Sequence, residues 1–226
     1  MELLLRKGAL KIAKGESDFF TFKSGRRSPN FINIGALSDG ESSAFLGRAF
    51  AQAAMEGVES GKIGEFDYVF GPAYKGIPIA ALTCSALFEK FGKNASLLYD
   101  RKEEKAYGDA SADKAIVGAG AWRKGGKILL VDDVITTGKA KYDSLEKLKA
   151  LEGFEIAGMV IAVDRMEKSG DAENVGPLTA VQTLEKELGI RTVSIITMHD
   201  IFSQVKGTLS PAVLSAWEQY WRKYCA

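Results

Sequence analysis

The sequence predicts an α/β protein built on a mostly parallel sheet, and three observations carry that prediction. Five short apolar runs, FDYVFG (66–71), ASLLYD (95–100), KILLVD (127–132), IAGMVIAVD (156–164) and RTVSIIT (191–197), are rich in β-branched and aromatic residues. They are largely apolar rather than strictly alternating, as expected of strands covered on both faces. Helical patterns lie between most of them, and that alternation is the signature of parallel strands flanked by helices.

Taken in order, Leu5, Ala9, Ile12 and Ala13 recur at helical spacing and predict an opening amphipathic helix that stops near Gly15 and caps the core. Phe45 or Leu46 with Ala49, Phe50 and Ala53 predict a second helix, and Ile77, Ala80, Ala81, Cys84, Leu87, Phe88 and Phe91 a third. Between these two, FDYVFG ends in Gly-Pro, a strand followed by a turn. Ala140, Leu145 and Leu148 mark a helix after KILLVD, and Val181, Leu184 and Leu188 another after Pro177. Ser210 as N-cap and Pro211 in the first turn open a last helix, with Val213, Trp217, Tyr220, Trp221 and Tyr224 along one face. That stripe is expected to dock on the core or on a partner subunit. With no repeat, low-complexity tract or linker, residues 1–226 read as one domain with a substantial core.

Charge narrows the function. Thirty Lys and Arg face 29 Asp and Glu, a formal net charge of +1, so no general attraction to nucleic acid or anionic membrane is expected. Anion chemistry must come from local clusters. Two cysteines, Cys84 and Cys225, make no disulfide framework, and the opening MELLLRKGALKIAKGES suits neither a signal peptide nor a membrane span. The expectation is a cytoplasmic protein.

The densest chemistry is ILLVDDVITTGKA, residues 128–140. Asp132 and Asp133 end an apolar strand, where ligands gather in open α/β sheets. The turn from Thr136 and Thr137 through Gly138, Lys139 and Ala140 then opens a helix, so backbone N–H groups and the positive helix end address one crevice. This arrangement suits a phosphate, and the paired carboxylates suit vicinal hydroxyls or a metal-bound water. Neither G-x-x-x-x-G-K-[ST] nor a strand-linked G-x-G-x-x-G is present, so a sugar phosphate fits better than a nucleoside triphosphate tail.

FGPAYKGIPIAA (70–81) repeats the strand, turn, helix order, with Lys75 at the helix start. A cation there opposes the helix dipole unless both address one anion; a structural turn with a solvated lysine is an equal reading. YDRKEEKAYGDASADK (99–114) lacks apolar periodicity and is expected to be a mobile loop carrying Arg101, Lys102 and Lys105. By itself it reads as a solvated hairpin end. KSGRRSPNFIN (23–33) supplies Lys23, Arg26 and Arg27 ahead of Phe31, and Arg165 follows the strand IAVD. The sole histidine, His199, has no zinc-site partners and reads as structural, and no G-x-S-x-G is present for a serine hydrolase.

Together these motifs resemble the type I phosphoribosyltransferases, whose signature is two acidic residues followed by a small, Thr-rich phosphate loop. More narrowly, FKSGRRSPNFIN, GPAYKGIP, DRKEEKAYG, VDDVITTGKA and the Arg of VDR occur in the order expected of the orotate phosphoribosyltransferase family, over about residues 16–200. The resemblance implies that family's fold, a central mostly parallel sheet flanked by helices with a small N-terminal hood and a mobile catalytic loop. It implies transfer of the 5-phosphoribosyl group from 5-phosphoribosyl 1-diphosphate to orotate, with Mg²⁺ held mainly by substrate and water.

Residue by residue, the resemblance implies that Asp132 and Asp133 meet the ribose hydroxyls. The diphosphate sugar would also be held by Val134, Ile135 and the turn Thr136, Thr137, Gly138, Lys139 and Ala140, which takes the 5′-phosphate. Lys23, Tyr74 and Lys75 would touch the diphosphate, with a cis peptide ahead of Tyr74. Arg101, Lys102 and Lys105 would be catalytic, neutralising the leaving group, as would Asp132 and Asp133, and Arg101, Lys102, Lys105 and Tyr107 would also bind the diphosphate sugar. Phe31, Ile32, Thr136 and Arg165 would contact orotate. The family loop commonly reads K-x-H-G, whereas Lys105-Ala106-Tyr107-Gly108 places a phenol, which donates one hydrogen bond but cannot become cationic, where an imidazole is usual. The resemblance further implies a homodimer with the loop shared across subunits. The alternatives are a purine or uracil enzyme of the same superfamily, or a non-catalytic regulator that binds the diphosphate sugar.

Overall fold

The computed structural model describes residues 1–101, 115–135 and 139–226, the last range without the side chains of residues 139–142. In chain order the elements are α1 (Glu2–Arg6), β1 (Leu10–Ile12), β2 (Phe20–Thr21), β3 (Arg27–Ser28), β4 (Asn30–Ile32), α2 (Gly40–Glu59), β5 (Tyr68–Gly71) and α3 (Gly76–Phe91). There follow β6 (Ser96–Asp100), β7 (Ile116–Val117), β8 (Lys127–Val134), α4 (Lys139–Leu148), β9 (Glu155–Asp164), β10 (Lys168–Gly170) and β11 (Val175–Thr179). The chain closes with α5 (Ala180–Leu188), β12 (Thr192–Thr197), α6 (Met198–Val205) and α7 (Pro211–Tyr224).

Six strands form the central sheet in the order β12-β9-β8-β5-β6-β7, the first five mutually parallel and β7 antiparallel at the edge. The five parallel strands are the five apolar runs. Their alternate side chains part cleanly between two cores. Val69, Leu129, Val131 and Val160 pack with Phe50 and Ala54 of α2 and Ala80 and Leu87 of α3. Tyr68, Phe70, Ile128, Leu130, Met159 and Ile161 face the other way, onto Leu148 of α4 and Leu184 of α5. With both faces covered, every position of these strands favours an apolar residue, each large one stabilising the fold by about 1.5–3 kcal/mol on burial.

The opening segment corrects the sequence reading. The helix does not run to Gly15; α1 ends at Arg6, and Gly8 takes a left-handed φ of 67° that turns the chain away. Leu10–Ile12 is a strand instead, paired antiparallel with β4 in the register Leu10↔Ile32 and Ile12↔Asn30. Ala9, Leu10 and Ala13 are buried, as the apolar spacing required, but the hydrogen bonds come from a partner well separated in sequence. The pairs β2–β3 and β10–β11 are small antiparallel additions of the same kind.

The end of the chain follows expectation. Ser210 accepts the N–H of Val213, Pro211 opens α7, and Trp217, Tyr220 and Tyr224 are buried. Trp217 packs 5.3 Å from Phe202, and His199 lies edge-on to Trp221 at 5.9 Å, a packing role. Among the described residues no helix is long and apolar enough to cross a membrane.

Candidate active site

The carboxyl ends of β5, β6, β8 and β9 lie at one edge of the sheet, and the chain reverses its direction of growth between β5 and β8. In open α/β sheets such a reversal opens a crevice between the loops. The end of β8 carries Asp132 and Asp133, and the segments that leave the other three strands carry Tyr74 and Lys75, Arg101 and Arg165, so four separate sequence motifs meet at one edge.

At the end of β8 the two carboxylates are held by backbone amides. Asp132 Oδ1 accepts the N–H of Asp133 at 2.8 Å, and Asp133 Oδ1 accepts the N–H of Val134 at 2.8 Å. The other oxygen of Asp133 accepts from Lys75 Nζ at 2.7 Å, across the reversal point. The Asp133 side chain is 10% exposed and that of Lys75 61%, so a nearly buried acid faces a cation that water, and hence an anionic ligand, can reach. This pair supplies what the sequence left open. Lys75 faces an acid on the neighbouring strand as well as the start of α3.

The turn that carries Lys75 is tightly built. A Cβ at Gly71 would stand 2.0 Å from the carbonyl oxygen of Gly76, and one at Gly76 would stand 2.5 Å from Pro72 Cδ. Only glycine permits that approach of strand end to helix start. The peptide between Ala73 and Tyr74 is cis, as the resemblance implied, and the Tyr74 side chain is 65% exposed at the rim.

A second wall is aromatic. Phe31 of β4 stacks on Phe20 at 5.5 Å and tilts against Phe22 at 6.3 Å, while Ile32 beside it packs on the core. The Arg165 guanidinium lies 4.1 Å over the Phe22 ring and donates to Glu167 Oε1 at 2.5 Å. Phe22 therefore bridges the two residues singled out for orotate, Phe31 and Arg165. Tyr220 of α7 donates to the same Glu167 oxygen at 2.8 Å, and burial together with the carboxylate pushes its phenol well above the ordinary range, keeping the proton in place. Burial likewise raises the Asp164 carboxyl, which accepts the N–H of Met166 and so supports the bend that carries Arg165. Lys23 is exposed in the β2–β3 turn, next to Phe22.

Arg26 departs from the sequence grouping of basic residues. Its side chain is 2% exposed, donates to the carbonyls of Lys168, Ser169 and Asp171, and lies 4.6 Å over the Tyr224 ring. It fastens the β2–β3 hairpin to β10 and α7 rather than facing a ligand. Lys102, Lys105, Tyr107, Thr136, Thr137 and Gly138 lie outside the described residues, as do the side chains of Lys139 and Ala140. Sequence reasoning missed Phe22, Glu167 and Asp100. Phe22 opens the quoted FKSGRRSPNFIN but was given no role, and the Arg165-x-Glu167 spacing was the available signal for Glu167.

Residues 36–176 match the family model for the phosphoribosyl transferase domain. The chain is 39% identical to the orotate phosphoribosyltransferase of Bifidobacterium adolescentis, over 100% of this chain and 96% of that protein. It is 40% identical to that of Salmonella newport, over 91% of this chain and 86% of that protein. Among solved structures, the orotate phosphoribosyltransferase of Francisella tularensis superposes with a TM-score of 0.81 at 33% identity, covering 100% of this chain and 98% of that one.

Proposed function

The chain belongs to the orotate phosphoribosyltransferase family, and from that premise we propose how its residues carry out the family reaction. The enzyme transfers the 5-phosphoribosyl group of 5-phosphoribosyl 1-diphosphate to N1 of orotate, giving orotidine 5′-monophosphate and pyrophosphate in pyrimidine biosynthesis. The bond from C1 of the ribose to the diphosphate oxygen breaks as the bond from N1 forms. A transition state resembling an oxocarbenium ion follows from departure of the leaving group, as in glycoside cleavage. Orotate enters with N1 deprotonated, so no general base is needed.

In this reading Asp132 and Asp133 accept hydrogen bonds from the ribose hydroxyls, and the turn from Thr136 to Ala140 takes the 5′-phosphate. Lys75, paired with Asp133 at 2.7 Å, is within reach of a diphosphate bound in the same crevice, with Tyr74 and Lys23 at its rim. Arg101, Lys102 and Lys105 neutralise the departing pyrophosphate, and closure over it excludes water that would otherwise hydrolyse the sugar. Tyr107 contributes one neutral hydrogen bond. Phe31 and Phe22 form an aromatic wall for the pyrimidine, and the fork of Arg165 suits its carboxylate.

Mg²⁺ is the proposed cofactor. The two β8 carboxylates offer hard oxygen donors, and among the described residues no cluster of three or more His, Cys, Asp or Glu offers a complete protein cage. That donor set fits an ion that would be carried mainly on substrate oxygens and water. When bound, the ion would supply positive charge to the diphosphate. We further propose a homodimer working in the cytoplasm, the latter supported by two free cysteines.

The observation that carries this reading is the Lys75–Asp133 pair at the point where the sheet reverses, with Arg165 and the aromatic wall at the same edge. The test mixes the protein with Mg²⁺, the diphosphate sugar and, separately, orotate, adenine, hypoxanthine or uracil. Consumption of orotate alone is expected. Turnover only with a purine or uracil would refute the base assignment, and no turnover with any base would favour the regulator.

A further inference from the structure

Asp100, the last residue of β6, is 5% exposed and has three partners on two segments. Its Oδ1 accepts the backbone N–H of Ala73 at 2.7 Å, inside the turn that presents Tyr74 and Lys75. Its Oδ2 accepts from Ser144 Oγ at 3.3 Å and Lys147 Nζ at 3.0 Å, both on α4. Lys147 also donates to the carbonyl of Arg101 at 2.5 Å, where the lysine-bearing stretch begins. One buried carboxylate therefore ties the turn after β5 to the helix that follows the end of β8.

Building on the proposed function, we propose that Asp100 is a positioning residue that sets the spacing between the two anion-binding ends of the diphosphate-sugar site. One oxygen fixes the Ala73–Lys75 turn, which addresses the diphosphate. The other fixes α4, which starts at Lys139, within the residues assigned to the 5′-phosphate. A sugar carrying a phosphate at each end needs both ends at a set separation, and a displacement of about 1 Å is enough to cost about 10²-fold in rate. A buried carboxylate suits this role because it accepts from a backbone amide and an ammonium at once, both charge-assisted bonds. The substrate never touches it.

The division of labour between the two oxygens makes the proposal testable. Asp100→Asn keeps an acceptor for the Ala73 amide but turns an NH₂ toward Ser144 and Lys147, releasing α4 alone. Asp100→Ala releases both ends. Lys147→Met, at a partly exposed position, removes the charged α4 partner, and its bond to the Arg101 carbonyl, without altering the carboxylate. Affinities are measured by calorimetry with inorganic pyrophosphate for the turn and ribose 5-phosphate for the α4 end, alongside KM for each substrate and thermal melting.

The expected results are about tenfold weaker ribose 5-phosphate binding in Asp100→Asn and Lys147→Met with pyrophosphate binding within twofold of the parent, and weakening of both ligands in Asp100→Ala. KM for orotate should stay within twofold in all three. Equal loss of both ligands in Asp100→Asn, or unchanged ribose 5-phosphate binding in folded Asp100→Asn and Lys147→Met, would overturn the proposal. These binding readouts do not depend on which base the parent protein turns over, so failure of the orotate assignment is seen separately, in the parent's own assay.

Discussion

Replacing Lys75 by Met separates what the ion pair gives to the fold from what the cation gives to the reaction. Lys75 Nζ meets Asp133 at 2.7 Å, but the lysine side chain is 61% exposed, so solvent screens the pair. Such a pair stabilises by no more than about 1 kcal/mol, and Asp133 retains the Val134 amide as a donor. For a chain of this length that corresponds to a fall in Tm of no more than about 2–4 °C. In the proposed mechanism the same ammonium faces charge that grows on the departing diphosphate, where one preorganised donor is worth about 10²–10³ in kcat. Lys75→Met should therefore melt within a few degrees of the parent while kcat/KM for the diphosphate sugar falls at least about 10²-fold. The assay follows loss of orotate absorbance with saturating Mg²⁺, and differential scanning fluorimetry gives Tm. An undiminished kcat/KM, or a Tm loss large enough to leave the chain unfolded at the assay temperature, would refute the reasoning.

Arg165→Lys should raise KM for orotate about tenfold and leave KM for the diphosphate sugar within twofold, because an ammonium cannot form the bidentate fork; initial-rate kinetics on both substrates check it. Lys105→Ala should lower kcat by about 10²–10³, and a variant with full turnover would remove Lys105 from the mechanism. Burial pushes the Cys84 thiol up to about 11 and the Cys225 thiol up to about 12, the latter also beside Glu167. The folded thiols thus keep protons that unfolded thiols release near pH 8.5, so these groups withdraw stability as pH rises above about 8.5. At pH 8 a thiol-specific reagent should label the native protein far more slowly than the urea-unfolded chain.

The parallel sheet was legible because strands covered on both faces need apolar residues throughout, and Tyr68–Gly71, Lys127–Val134 and Glu155–Asp164 satisfy that locally. The opening segment was not. Ala9, Leu10 and Ala13 fit a helical period, yet Gly8 and the pairing with Asn30–Ile32 decide the outcome, and a distant partner leaves no periodic trace. Strands of two or three residues, such as Arg27–Ser28 and Ile116–Val117, are too short to show any period.

At the site, adjacent acids at the end of an apolar strand stood out against the hydrophobic run before them. The neighbouring Lys75 could be read either way until the fold brought Asp133, 58 residues later, to within 2.7 Å. Asp100 was overlooked beside the basic run that begins at Arg101, because its partners Ser144 and Lys147 lie 44 and 47 residues further on. Arg26 shows the opposite error. It sits among surface-type charges in sequence, but tertiary packing buries its guanidinium against three backbone carbonyls.

A crystal structure of the protein with 5-phosphoribosyl 1-diphosphate and Mg²⁺ tests most directly whether a sugar phosphate sits where β8 gives way to α4. The ribose hydroxyls should lie within hydrogen-bond distance of Asp132 and Asp133, the 5′-phosphate at residues 136–140, and the diphosphate beside Lys75. A ligand bound elsewhere, with Lys75 still closed on Asp133 and the crevice filled by side chains, would contradict it.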